Sequence, residues 1–357
     1  MHIDLCVPMA SQIKSFASDN YAPAHPEVIE ALVGANVGDA PAYGADEWSE
    51  QARELISKAL GSDVESFFVF NGTGANVTGL VSFLHPGSAV VCATQSHLNN
   101  DEGGAPERIA GVKLIDVPTD DAKLTPEHVT NVWRRIGDEH APQPHVVSVT
   151  QSTELGTVYQ VSELAALAAC VHELGGLLHI DGARISNAAA HLGVNLGEIT
   201  VKTGADLLSF GGTKNGLIGA EAVVFLRSGD DHYYPWIRKS LMQLSSKQRF
   251  ISAQFIALLS NDLWRRNATH ANSMAARLAK GLSGMAQVEI AHPVQANAVF
   301  ARMHPDLIAH LLETYRFYVW DERENLVRLM CSWNTEPELV DEFIKAIAES
   351  PAAKQTR

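Results

Sequence analysis

The chain has 357 residues, 46% hydrophobic and 19% charged, a balance that fits a globular protein of two domains and excludes a disordered one. Its 41 acidic against 27 basic residues leave a formal charge of −14, which argues against a nucleic-acid or acidic-membrane partner. No 18-residue apolar run or signal-peptide core stands in it, and Cys6, Cys92, Cys170 and Cys331 show no zinc spacing, so free thiols, no metal site and a cytoplasmic location are expected.

The first strong pattern from the amino terminus is Phe67 to Phe70, an aromatic strand running into Asn71-Gly72-Thr73-Gly74-Ala75-Asn76 and then a helix through Val77, Leu80 and Val81. Free amides at such a helix start point at an anion; Gly72 and Gly74 let backbone approach it and Thr73 adds a hydroxyl. The third glycine of a dinucleotide fingerprint is missing. Strands are expected at Ala89 to Ala93, Val112 to Val117 and His145 to Val149. Ser162 is expected to cap a helix in which Leu164, Leu167, Ala168 and Val171 share a face, and Gly175-Gly176 to end it. Leu177 to Ile180 then leads into Asp181-Gly182-Ala183-Arg184, Leu207 to Phe210 leads into Gly211-Gly212-Thr213-Lys214, and Ala222 to Leu226 follows.

This alternation predicts an α/β protein with a mostly parallel seven-stranded sheet, with Asp181 and Lys214 leaving the carboxyl ends of strands, where such sheets bind ligands. After Arg249 a long helical stretch breaks near Gly281 and Gly284. Short strands at Val288 to Ile290, Val299 to Met303, Phe317 to Trp320 and Leu326 to Cys331 then predict a smaller α+β domain. The expected division is 1–250 and 251–357, with residues 1–25 contributing to the active site and Ser350 to Arg357 frayed.

A lysine amine, an acid and a phosphate turn, in that set, suit pyridoxal 5'-phosphate. The cofactor needs an amine to condense with its aldehyde, an acid to keep its ring nitrogen protonated, and donors for its phosphate. Lys214, Asp181 and the Gly72-Thr73-Gly74 turn supply them, and Arg184 is placed to turn back toward the phenolate oxygen.

The ordered set of motifs resembles the threonine aldolase family, among the fold-type-I pyridoxal phosphate enzymes related to the beta-eliminating lyases. Ser15 to Tyr21 with Ala24-His25-Pro26-Glu27 is similar to that family's amino-terminal segment, Ala42-Tyr43-Gly44 to its Tyr-Gly turn, and Ser96-His97 to its ring-stacking histidine. Val327-Arg328-Leu329-Met330 is similar to its carboxylate-binding strand. The resemblance implies that Gly72, Thr73 and Gly74 bind the phosphate, His97 stacks on the ring, Asp181 meets the ring nitrogen, Arg184 reaches the phenolate oxygen and Lys214 holds the cofactor. It also implies that Ser18 and Arg328 grip the substrate carboxylate. Tyr43 and basic residues drawn from Arg238, Lys239 and Lys247 would reach the site of a neighbouring subunit in a homodimer or homotetramer. The implied reaction is retro-aldol cleavage of a β-hydroxy-α-amino acid such as threonine, allo-threonine or phenylserine to glycine and an aldehyde.

Two segments depart from the family pattern. Gln243 to Arg249 lacks a glycine-rich character, and Val149 to Thr157 lacks a histidine near the substrate hydroxyl. His97 is therefore the first candidate for the base, ahead of a water it holds or Glu154. The competing readings are β-elimination or transamination on the same scaffold, and a non-catalytic protein that retains the cofactor.

Overall fold

The structure, a computed structural model, describes residues 13–227 and 233–350; Cys6 and residues 351–357 lie outside the described residues. Strands β1 (Glu65–Val69), β2 (Ser88–Ala93), β3 (Lys113–Val117), β4 (Gln143–Thr150), β5 (Leu177–Gly182), β6 (Leu207–Gly211) and β7 (Glu221–Phe225) form one sheet in the order β1-β7-β6-β5-β4-β2-β3. β2 through β6 pair in parallel, and β7 runs antiparallel to both β6 and β1. The expected mostly parallel seven-stranded sheet is present.

Side chains alternate across each strand, and in the central strands the alternation separates packing from chemistry. Val147 and Val149 of β4, Leu178 and Ile180 of β5, and Leu208 and Phe210 of β6 enter the main apolar core. The intervening Ser148, Thr150, His179, Asp181 and Ser209 are buried on the opposite face. That core is closed by residues of α1 (Pro26–Ala35), α2 (Glu47–Leu60), α5 (Pro126–Val132), α6 (Val161–Glu173), α7 (Ile185–Leu192) and α9 (Arg249–Leu259). The other face packs against α3 (Gly72–Val81), α4 (His97–Asn100) and α8 (Tyr234–Ser240) through Ala75, Leu80, Leu98 and Tyr234.

Two local expectations are corrected. Ser162 does not cap α6: Gln160 is the N-cap, and its N–H donates to the Glu163 carboxylate at 2.6 Å, which places Ser162 inside the first turn. The long helical stretch after Arg249 is two helices, α9 and α10 (Leu263–Leu282), because Asn261 and Asp262 take φ of 51° and 54° between them. Asn and Asp enter that left-handed region more readily than other non-glycine residues.

Four antiparallel strands, β8 (Val288–Ile290), β9 (Ala298–Met303), β10 (Tyr318–Asp321) and β11 (Leu326–Met330), make the small sheet in the order β10-β11-β9-β8. Met274, Leu278, Leu307, Phe343 and Ile347, from α10, α11 (Pro305–Leu312) and α12 (Pro337–Glu349), bury its inner face. Ser350 at the end of α12 is 2% exposed and bonds back to Ile347, so it does not fray. The amino-terminal segment joins this sheet: the Phe16 N–H donates to Arg316 at 2.7 Å and its carbonyl accepts from Met330 at 2.7 Å. Phe16 is fully buried among the small-domain side chains, an anchor that delivers Ser18 and Asp19 to the end of the large sheet.

Candidate active site

The turns after β5 and β6 carry Asp181 and Lys214, and glycine lets them touch. A Cβ on Gly211 would lie 2.6 Å from the Ala183 backbone, and one on Gly182 would lie 2.7 Å from the Ser209 carbonyl. No larger residue fits either place, so the aspartate and lysine turns are pressed together. Lys214 follows on a short 3-10 turn, Thr213–Asn215. Its amine makes no hydrogen bond or ion pair among the described residues, and burial, then the nearby Arg184 charge, pushes its pKa below the ordinary lysine value.

Asp181 sits at the centre of a polar network. One oxygen accepts the Ala183 N–H at 3.0 Å and the other accepts from the Asn76 amide at 2.9 Å. The same Asn76 nitrogen donates to Glu102 at 3.0 Å, and that Glu102 oxygen also meets His97 Nδ1 at 2.9 Å. A carboxylate beside Nδ1 fixes the proton there and leaves Nε2 free to accept one. The hydrogen bond to Glu102 raises the His97 pKa above its usual value, outweighing burial. Glu154 accepts the His97 backbone N–H and the Thr150 hydroxyl, both at 2.7 Å, through one oxygen, which makes it the anchor of the His97 turn.

Beneath Asp181 on the same face, His179 bonds Ser148 at 2.9 Å through Nδ1 and Ser209 at 3.0 Å through Nε2. It braces β4, β5 and β6, and burial pushes its pKa down to about 4, so the ring is neutral at neutral pH.

The Gly72-Thr73-Gly74 turn opens α3 as expected. Asn71 caps the helix by accepting the Gly74 N–H at 2.7 Å, and the Gly72 and Thr73 amides take no acceptor among the described residues. Gln243 lies across the turn: its Oε1 accepts the Phe70 N–H at 3.1 Å, and a Cβ on Gly74 would fall 2.5 Å from its side chain. Asn71, Thr73, Gly74, Ile109 and Gln243 line a cavity of about 270 Å³.

Arg184 is half-buried and gives two hydrogen bonds to Asp19, from Nε at 2.7 Å and an η nitrogen at 2.9 Å. Burial works against the Asp19 carboxylate, but the charge and hydrogen bonds of Arg184 outweigh it and hold its pKa below the usual range. Asn297 donates a third bond to Asp19 at 3.1 Å. Arg328 is different. One η nitrogen donates to the Ala17 carbonyl at 3.2 Å, Nε is buried without a partner, and no carboxylate among the described residues pairs with it. Its guanidinium lies 5.2 and 4.8 Å from the ring centres of Tyr318 and Trp320, a cation–π seat that holds it extended. Burial, then repulsion from Arg184, pushes Arg328 down to about 10. Ser18 follows the Ala17 carbonyl that Arg328 meets, and its Oγ accepts the Asn20 N–H at 3.1 Å, keeping its O–H as a donor.

The structure thus brings together Lys214, Asp181, Arg184 and His97 beside the Gly72-Thr73-Gly74 turn, with Ser18 and Arg328 alongside. Tyr43 is not among them: it is 52% exposed, with Lys239 Nζ 5.0 Å from its ring centre. Arg238 is corrected as a residue reaching outward, since it is buried over Phe67 and donates to the Phe68 carbonyl at 3.3 Å. Lys247 is exposed. Glu102, Asn76 and Gln243 escaped the sequence reading as site residues. The Glu102 spacing, five residues after His97, is an available signal for a histidine–carboxylate pair; Gln243 had none, because it stands 173 positions from the Phe70 it bonds.

A half-buried lysine amine without a partner among the described residues, an acid on the adjoining turn, free helix amides and a glycine-only cradle fit pyridoxal phosphate. The sheet and this donor set define a fold-type-I pyridoxal phosphate-dependent lyase. The chain belongs to the beta-eliminating lyase family, whose model matches residues 15–305. It is 42% identical to a low specificity L-threonine aldolase of a Pseudomonas species, over 94% of this chain and 97% of that one. A protein of the same description from Pseudomonas aeruginosa is 40% identical over 95% and 98% of the two chains. The solved structure of Leishmania major threonine aldolase superposes with a TM-score of 0.87 at 27% identity, covering 94% of this chain and 98% of that one.

Proposed function

We propose that this enzyme cleaves L-β-hydroxy-α-amino acids, threonine and allo-threonine among them, to glycine and an aldehyde. The observation that carries the aldol reaction over β-elimination is the likeness, along nearly their whole length, to two low specificity L-threonine aldolases. Bound pyridoxal phosphate supplies an electron sink conjugated with the substrate's α carbon. Lys214 would hold it covalently, Gly72, Thr73 and Gly74 its phosphate, Asp181 its ring nitrogen, Arg184 its phenolate oxygen and His97 the face of its ring.

The remaining groups act on the amino acid. Arg328 offers its guanidinium, and Ser18 its hydroxyl proton, to the substrate carboxylate, which fixes the α carbon and its substituents. His97, pinned through Nδ1 by Glu102, takes the β-hydroxyl proton on Nε2, and the Cα–Cβ bond then opens to release the aldehyde.

The exposed Tyr43, Phe70, Ile109, Tyr233, Trp236 and Met242 support the reading that the chain works as a homodimer or homotetramer with Tyr43 serving a neighbouring site. We place it in the cytoplasm, a setting that suits the free Cys92, Cys170 and Cys331. The test is to incubate the holoenzyme with L-threonine, L-allo-threonine and L-phenylserine and quantify products. Glycine with the matching aldehyde is the expected result; ammonia with a keto acid would replace the aldol reading by elimination.

A further inference from the structure

Glu221 opens β7 directly across from Gly211 of β6 and Val69 of β1, and is 6% exposed. Its carboxylate is turned toward the lysine turn: it accepts the Gly212 N–H at 2.7 Å, with Thr213 next along the chain. The Thr213 oxygen accepts the Ala220 N–H at 3.2 Å, so the 212–220 excursion is closed across its base. Burying a carboxylate is costly, but a charged acceptor holds a backbone N–H more strongly than a neutral one. The charge also sets a field on Lys214, whose other charged neighbours are Arg184, Asp19 and Asp181. Burial pushes Glu221 up to about 7 although Thr213, Gly212 and Lys214 all pull the other way.

We propose that Glu221 is a positioning residue for Lys214: its carboxylate holds the Gly212 N–H and fixes the turn that presents the amine, while its negative charge favours the protonated form of the nitrogen Lys214 contributes. The inference rests on Lys214 being the cofactor lysine. It separates two things a buried acid can do, because the role in presenting the amine is performed at a cost to the stability of the fold.

The test is Glu221→Gln in the holoenzyme, a change that keeps shape and removes charge. The kcat falls roughly ten- to hundred-fold as the turn loosens, while KM for the amino acid holds, because Ser18 and Arg328 bind it from elsewhere. The pH midpoint of the visible cofactor band moves down, since a negative charge beside a protonated nitrogen is gone. The melting temperature equals or exceeds the parent's, since a buried charge is gone. A lower melting temperature with an unmoved midpoint, or an unchanged kcat and midpoint, overturns the proposal. Should the variant not fold, hydrogen exchange of residues 211–217 in the parent decides. Protection, corrected for intrinsic rates, that falls as pH drops from about 8 to about 6 agrees with the carboxylate holding the turn, and flat protection overturns it. A parent protein with no Lys214-dependent band sinks the cofactor reading itself, which is a distinct result.

Discussion

Arg184, at the end of the large sheet, gives two hydrogen bonds to the Asp19 carboxylate, whereas Arg328, on the small sheet, rests on two aromatic rings with a buried Nε that bonds to nothing among the described residues. Both charges are largely withdrawn from water. The first is satisfied within the chain and stiffens the joint between the amino-terminal segment and the Asp181 turn; the second, like the Lys214 amine, waits for something the described residues do not provide. A charge removed from water without a partner is expensive, so its persistence points to a ligand group, whereas pairing with Asp19 offsets that expense for Arg184 and leaves its other N–H donors for the phenolate oxygen we propose it meets.

The largest break in that contrast is Lys214→Ala, expected to abolish the visible cofactor band and lower turnover by roughly four orders of magnitude or more; an unchanged spectrum would remove Lys214 from its role. Next, Asp19→Ala strikes the paired side and leaves Arg184 half-buried and unpaired. It should cost about 3–5 kcal/mol of stability, read by denaturant unfolding, and an unaltered midpoint would show the pair to be ornamental. Arg328→Ala strikes the unpaired side. Here stability should hardly change, while kcat/KM drops by about 2–4 kcal/mol, roughly 30- to 1,000-fold, and equal losses of stability in the two variants would erase the distinction between them.

The smallest effect sharpens the assignment of the base. Because Glu102 raises the His97 pKa, and the base must be neutral, parent activity should fall as pH drops through a point above about 6.5. Glu102→Gln removes the cause, so the acid limb moves to lower pH while kcat at the plateau falls roughly ten-fold for want of a fixed Nδ1 proton. A pH profile that does not move would take the proton transfer away from His97.

Much of this was legible before folding. Continuous apolar strands spaced by helical patterns, and the glycines beside Asp181 and Lys214, suffice to predict the parallel sheet and the strand ends at which those two residues stand. The capping of α6 by Gln160 in place of Ser162, and the division of α9 from α10 at Asn261 and Asp262, were not, because neighbouring candidates for a cap or a break differ by less than tertiary packing can impose. Among site residues the sequence also misled where side-chain direction mattered: Arg238 looks like a free cation and is buried against Phe67.

The sequence by itself determined which residues could do chemistry and in what order they come, since residue type and strand period are local properties. Only the tertiary structure decided which of them meet. Asn76, Glu102, His97 and Asp181 join into one network, and Glu221 closes on the lysine turn, through contacts between distant segments. A hydrogen bond needs its atoms within about 3 Å, and that proximity is fixed by the packing of the sheet and its helices, which no single segment carries.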